Sequence, residues 1–179
     1  MNAKKIIFPG VCAFVLGIAA FTQNCSATIS PNQLALGGIP CVGKGSSYVT
    51  KIYGTPTRGL GMESFGTYDY GGTAFVDFSE GTVTSITVTA NNGWKTPAGL
   101  RVGMTANEAV RMYGDPDKSE ARGDKRIYIY FVDYLRKGAG HLGICFDNTT
   151  KKITKLNVMH STMADFDEYY PGWLDGMFK

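Results

Sequence analysis

The sequence predicts an α+β fold: two tandem copies of a short helix plus a three-stranded antiparallel sheet, with the helices packed on one face. Three observations carry this expectation. Tyr-Gly-x-Pro is written twice, as "YGTP" at 53–56 and "YGDP" at 113–116, each time after a short amphipathic run. Other residues keep the same sixty-residue offset, among them Val42 with Val102, Gly43 with Gly103, Tyr68 with Tyr128 and Tyr70 with Tyr130. Apolar alternation of period two then follows each run. Self-similarity of this kind marks one supersecondary unit used repeatedly.

The chain opens with a basic start at Lys4 and Lys5, an apolar run from Ile6 to Phe21, and small residues at Ser26 and Ala27. That order describes a secretory signal peptide over residues 1–27. A membrane anchor fits less well, because a spanning helix needs about 20 apolar residues and Pro9 with Gly10 interrupts this run. The "FTQNC" stretch lacks the apolar and small residues expected before a lipidated Cys25, which counts against a lipid anchor and leaves outer-membrane association as the alternative. Cleavage leaves 152 of the 179 residues and lowers the formal charge from +3 to +1. A near-neutral chain without a Lys/Arg cluster offers no footprint for nucleic acid. No transmembrane segment is expected in the mature chain, which is read as exported to the periplasm or secreted.

The first copy spans 28–95. Ser46 or Ser47 is its expected helix cap, Val49, Ile52 and Tyr53 form its apolar stripe, and Gly54 with Pro56 ends it. Glycine takes the conformations that close a helix and proline cannot continue one. "GLGMES" at 59–64 reads as a flexible connection, since Ser64 replaces the third glycine of a dinucleotide loop and the stretch follows a helix. Strands are expected through Tyr68 and Tyr70, over "AFVDF" at 74–78 and over "VTSITV" at 83–88. Trp94, in the linker "NNGWKTPAG", is placed at the junction between copies.

The second copy spans 96–160. Thr105 and Glu108 form a capping box, and Ala109, Val110, Met112 and Tyr113 supply the stripe before Gly114 and Pro116. Strands follow through Tyr128 and Tyr130, over "LGICF" at 142–146 and over "ITKLNV" at 153–158, with a longer hairpin at "DYLRKGAGH". Residues 161–179, rich in acids and aromatics, form a tail outside both copies. It either folds back over a sheet edge or apolar patch, or offers aromatic contacts to a partner.

Alternation assigns Ala74, Val76, Phe78, Leu142, Ile144, Phe146, Ile86, Val88, Leu156 and Val158 to the core. The other face then carries Phe75, Asp77, Ser85, Thr87, Thr89, Cys145, Lys155, Asn157 and Met159. Cys41 and Cys145 survive cleavage, and an exported protein meets conditions that permit disulfides. A bridge between them would be worth about 4 kcal/mol on the chain-entropy argument. Against it, Cys41 precedes the helix on the core side and Cys145 lies on the other face, so two separate thiols remain the alternative.

Reactive chemistry is sparse. His141 and His160 have no second ligand at metal spacing, so no metal or other cofactor is expected. A nucleophile built from Cys145 with either histidine has no evident activating group. "DFDE" at 165–168 lacks the spaced oxygens and glycine of a calcium loop.

The run "GLRVGMTANEAVRMYGDP" resembles the "G-M-T-x-x-E-V-x-x-x-L-G-x-P" signature of the BamE/SmpA/OmlA outer-membrane lipoprotein family, with Tyr113 where Leu is usual. The doubled arrangement is similar to the β-lactamase inhibitory protein (BLIP) fold. The resemblance covers about residues 30 to 160. It implies protein–protein contact in the cell envelope, made by the exposed sheet face and loops, without catalysis.

The chain is thus expected to be a non-catalytic protein-binding module of the bacterial cell envelope, taking another envelope or secreted protein on its exposed sheet face. Phe75, Asp77, Tyr134 and Trp173 are the candidate contact residues. The alternatives are a secreted enzyme of unrecognised type or a β-lactamase-inhibitor-like protein.

Overall fold

The computed structural model describes residues 29–62, 65–132, 140–160 and 175–179. A short 3-10 turn at Pro31–Gln33 leads into a small hairpin, β1 (Ala35–Leu36) and β2 (Ile39–Pro40). Helix α1 (Ser46–Tyr53) precedes β3 (Arg58–Met62), β4 (Phe65–Tyr70), β5 (Ala74–Ser79) and β6 (Thr82–Val88). Helix α2 (Ala106–Tyr113) precedes β7 (Lys118–Arg122), β8 (Lys125–Phe131), β9 (Gly140–Asp147) and β10 (Ile153–His160). A last helical turn, α3, covers Asp175–Phe178.

This corrects the expected fold class. There are not two tandem units of a helix plus three strands. Eight strands form one antiparallel sheet in the order β3-β4-β5-β6-β10-β9-β8-β7, with β1 and β2 as a separate two-stranded sheet. The two halves are joined by β6 and β10, which set Leu156 against Val88 and Val158 against Ile86. The missed strands are the two edges. "RGLGM" carries two glycines and "KSEAR" is charged, so neither shows the alternation that marks a half-buried strand. Each is held by a single neighbour, β4 or β8, and pairing overrides its weak intrinsic preference.

Both helices stop as the glycines require. Gly54 (φ 74°, ψ −162°) and Gly114 (φ 78°, ψ −163°) take the same backbone conformation, one open essentially to glycine alone. The cap of α2 is the expected capping box: Thr105 accepts from the Glu108 backbone N–H, and the Glu108 carboxylate accepts from the Thr105 N–H at 2.7 Å. The cap of α1 is Gly45, not Ser46 or Ser47, and no side chain caps it. A tyrosine hydroxyl ties each helix end to the sheet. Tyr70 donates to the Gly54 carbonyl at 3.3 Å and Tyr130 to the Gly114 carbonyl at 3.0 Å.

One face of the sheet carries the main core. Val76, Phe78, Ile86, Val88, Leu142, Ile144, Phe146, Leu156 and Val158 pack there with Val49 of α1, Ala109 of α2, and the β1–β2 hairpin. Phe78 meets Tyr68 edge to face at 4.8 Å, and Phe146 meets Tyr128 in the same way at 4.7 Å. Trp94 stacks on Tyr53 at 4.2 Å and closes over Gly37. Helices α1 and α2, the hairpin and the linker therefore occupy one face, and the strand registers decide which residues the sheet turns to the opposite face.

Candidate functional site: the second face of the sheet

Strand alternation puts Phe75 and Asp77 on the face opposite α1 and α2, where both are partly exposed. Registers extend this into cross-strand rows. One row runs Asp69, Phe75, Thr87, Asn157, Gly143, Ile129 and Lys118. The neighbouring row runs Thr67, Asp77, Ser85, Met159, His141 and Phe131.

The polar members of these rows bind one another. Thr67 donates its hydroxyl to Asp77 at 2.6 Å, which fixes the carboxylate on a rigid strand. Asn157 donates to Ser85 at 3.1 Å and to Thr87 at 3.0 Å across the β6–β10 seam. Ser85 and Asn157 are each only 6% exposed, so these bonds satisfy groups whose burial would otherwise be costly. Sequence reasoning placed Ser85, Thr87 and Asn157 on this face but not in a network, because their contacts depend on a pairing between residues some seventy positions apart.

In the other half an apolar patch of the same face is covered. Ile127, Ile129 and Cys145 form a second cluster with Met177 of α3, and Phe131 and Phe178 pack at its margin. Gly143 makes room for it: a Cβ built there would lie 3.0 Å from Met177 Cε. The expectation that the tail folds back over an apolar patch thus holds for Asp175–Phe178. Tyr134 and Trp173, the other two candidate contact residues, lie outside the described residues.

The Cys41–Cys145 bridge is not made, and both thiols are free and buried. Cys41 belongs to the main core and Cys145 to the cluster on the opposite face, so the sheet itself stands between them. Burial pushes both thiols up from the ordinary cysteine range, which suppresses the thiolate that nucleophilic chemistry needs. His141 sits four residues before Cys145 on β9, about 13 Å away along a strand. His160 follows Met159 onto the core side, where desolvation lowers its pKa. Among the described residues no group of three or more His, Cys, Asp or Glu is placed to hold a metal.

No family model matches the chain, and no curated protein matches it. A solved structure to which it is similar is an extracellular protein containing an SCP domain from Bacillus anthracis str. Ames. The two are 14% identical with a TM-score of 0.49, over 89% of this chain and 50% of that one. This chain therefore spans half the length of that protein, and a likeness at that level transfers no function.

The resemblance to the BamE/SmpA/OmlA and BLIP-like proteins is corrected accordingly. No family model matches, and the strands form one eight-stranded sheet rather than two three-stranded copies. The motif that suggested it has a local explanation: its Thr and Glu are the capping box of α2, and its Gly is the helix stop. Any short capped helix asks for the same residues. No described helix is long and apolar enough to cross a membrane.

Proposed function

We propose that this chain is an exported, non-catalytic binding module that takes a partner protein on the second face of the sheet, centred on Phe75 and Asp77. The observation that carries the reading is a partly exposed aromatic ring beside a carboxylate already held by Thr67. Phe75 stands between Asp69 and Thr87 on paired strands, so little freedom is lost when a partner covers it. Aromatic rings in such positions bury a large area at low entropic cost. Export rests on the leader over residues 1–27, and the absence of catalysis on buried, protonated thiols with no histidine beside Cys145.

The test is Phe75→Ser, and separately Asp77→Asn, in the full chain expressed in its native envelope. Melting temperature and the set of crosslinked partners are compared with the unsubstituted protein. Unchanged melting with loss of a partner supports the reading. A large drop in melting temperature would make Phe75 a packing residue, and unchanged partners would remove this face from binding.

A further inference from the structure

We propose that the notch around Gly143 is a peptide-binding site for a short acidic–apolar segment of the form Asp-x-Met-Phe, occupied here by residues 175–178 of the same chain and open to the same segment of a second copy when they lift off. The inference does not rest on Phe75 or on the partner proposed above. It rests on how α3 is held.

Only Met177 of α3 is fully buried, filling the space that the missing side chain of Gly143 leaves beside Ile127, Ile129 and Cys145. Phe178 is partly buried, while Asp175, Gly176 and Lys179 are exposed. The remaining anchors are three cations of the sheet. Lys125 donates to the Phe178 carbonyl at 2.6 Å and Lys155 to the Gly176 carbonyl at 3.0 Å. Arg122 pairs with Asp175 and lies over the Phe178 ring at 4.6 Å.

These contacts divide into two kinds. The lysines read main-chain carbonyls, which any peptide offers. The Arg122 pair and the Gly143 notch read an acid and, two residues on, an unbranched apolar side chain. The charges are complementary: Arg122, which also holds Glu120 of its own strand, meets the Asp175 carboxylate, and Lys125 and Lys155 meet the carbonyl ends of the segment. A site with this division of labour is a short-peptide groove. Its resident is four helical residues with one buried side chain and an ion pair exposed to solvent, contacts of the kind worth little each, which lets a second segment compete for the site.

The experiment titrates a fluorescein-labelled peptide of residues 175–179 into the full chain and into its Met177→Ser variant. Weakening the resident segment should tighten peptide binding at least tenfold, and adding Gly143→Val to Met177→Ser should abolish the gain by filling the notch. No gain in the Met177→Ser chain would overturn the proposal, as would a gain that survives Gly143→Val. Should Met177→Ser fail to fold, Asp175→Lys at the exposed end of α3 carries the test. Alkylation of Cys145, read by peptide mass, should then speed up at least tenfold and slow again on adding the peptide. An unchanged rate, or one the peptide does not slow, would overturn the proposal equally.

Discussion

Phe146→Ala measures both the core and the coupling of its two halves. Phe146 is 1% exposed, lies between Arg126 of β8 and Ile153 of β10, and meets the Tyr128 ring at 4.7 Å. Burying about 200 Å² of aromatic surface at about 25 cal/mol per Å² is worth about 5 kcal/mol as an upper figure. Alanine keeps part of that, so the expected loss is ~3–5 kcal/mol, as for other buried aromatics. About 0.5–1.5 kcal/mol of it should be shared with Tyr128 and emerge as coupling in a double-mutant cycle. The assay is urea unfolding followed by far-ultraviolet circular dichroism and by Trp94 fluorescence in a Trp173→Phe background. Trp94 stacks on Tyr53 of α1 and so reports on the half that Phe146 does not belong to. Because β6 and β10 are paired, both probes should shift to the same lower midpoint. A loss below about 1.5 kcal/mol would refute the packing argument, and two separated transitions would refute the coupling.

Gly54→Ala and Gly114→Ala should each lower stability by ~1–3 kcal/mol in the same denaturation assay, because φ near +75° with extended ψ is closed to other residues. Gly37→Ala should cost more than either, since it combines φ +60° with a Cβ only 2.6 Å from Trp94 Cδ2 and from the Tyr53 hydroxyl; an equal or smaller loss would mean the Tyr53–Trp94 stack yields freely. Hydrogen bonds from Thr105 hold the Glu108 carboxyl below its ordinary range, so its stabilisation is complete above the unfolded glutamate value and fades as pH falls through the lower folded one. Melting temperatures of the unsubstituted chain and of Glu108→Gln should therefore differ most at neutral pH and converge in acid; a difference that grows in acid would reverse the assignment.

What the sequence made legible was the direction of side chains. Ala74, Val76, Phe78, Leu142, Ile144, Phe146, Leu156 and Val158 are all buried on one face, because a period of two leaves no other arrangement once one face meets a core. The helix ends were equally readable, since Gly54 and Gly114 carry their own conformational signal. The edge strands were not, because glycines in β3 and charges in β7 erase the alternation and only a neighbour's hydrogen bonds make them strands. Nor was the β1–β2 hairpin, two residues on each side and too short for any periodic signal.

The site divides in the same way. Phe75 and Asp77 were placed on the correct face by alternation alone. The bonds of Thr67 to Asp77 and of Asn157 to Ser85 and Thr87 needed registers, which depend on contacts far apart in the chain. Gly143 was the least legible residue, an apparent gap in "LGICF" until Met177 fills it from thirty-four residues away. Phe75 and Gly143 nonetheless belong to one cross-strand row, three strands apart with Thr87 and Asn157 between them. At roughly 4.8 Å per strand the two centres are about 14 Å apart. The Asn157 bonds hold the intervening seam closed, so a partner seated on Phe75 and a peptide seated at Gly143 would meet separate surfaces of one rigid sheet. Substitution at either centre should then leave binding at the other unchanged, whereas Asn157→Ala, which frees Ser85 and Thr87 at the seam, is the single change that should disturb both.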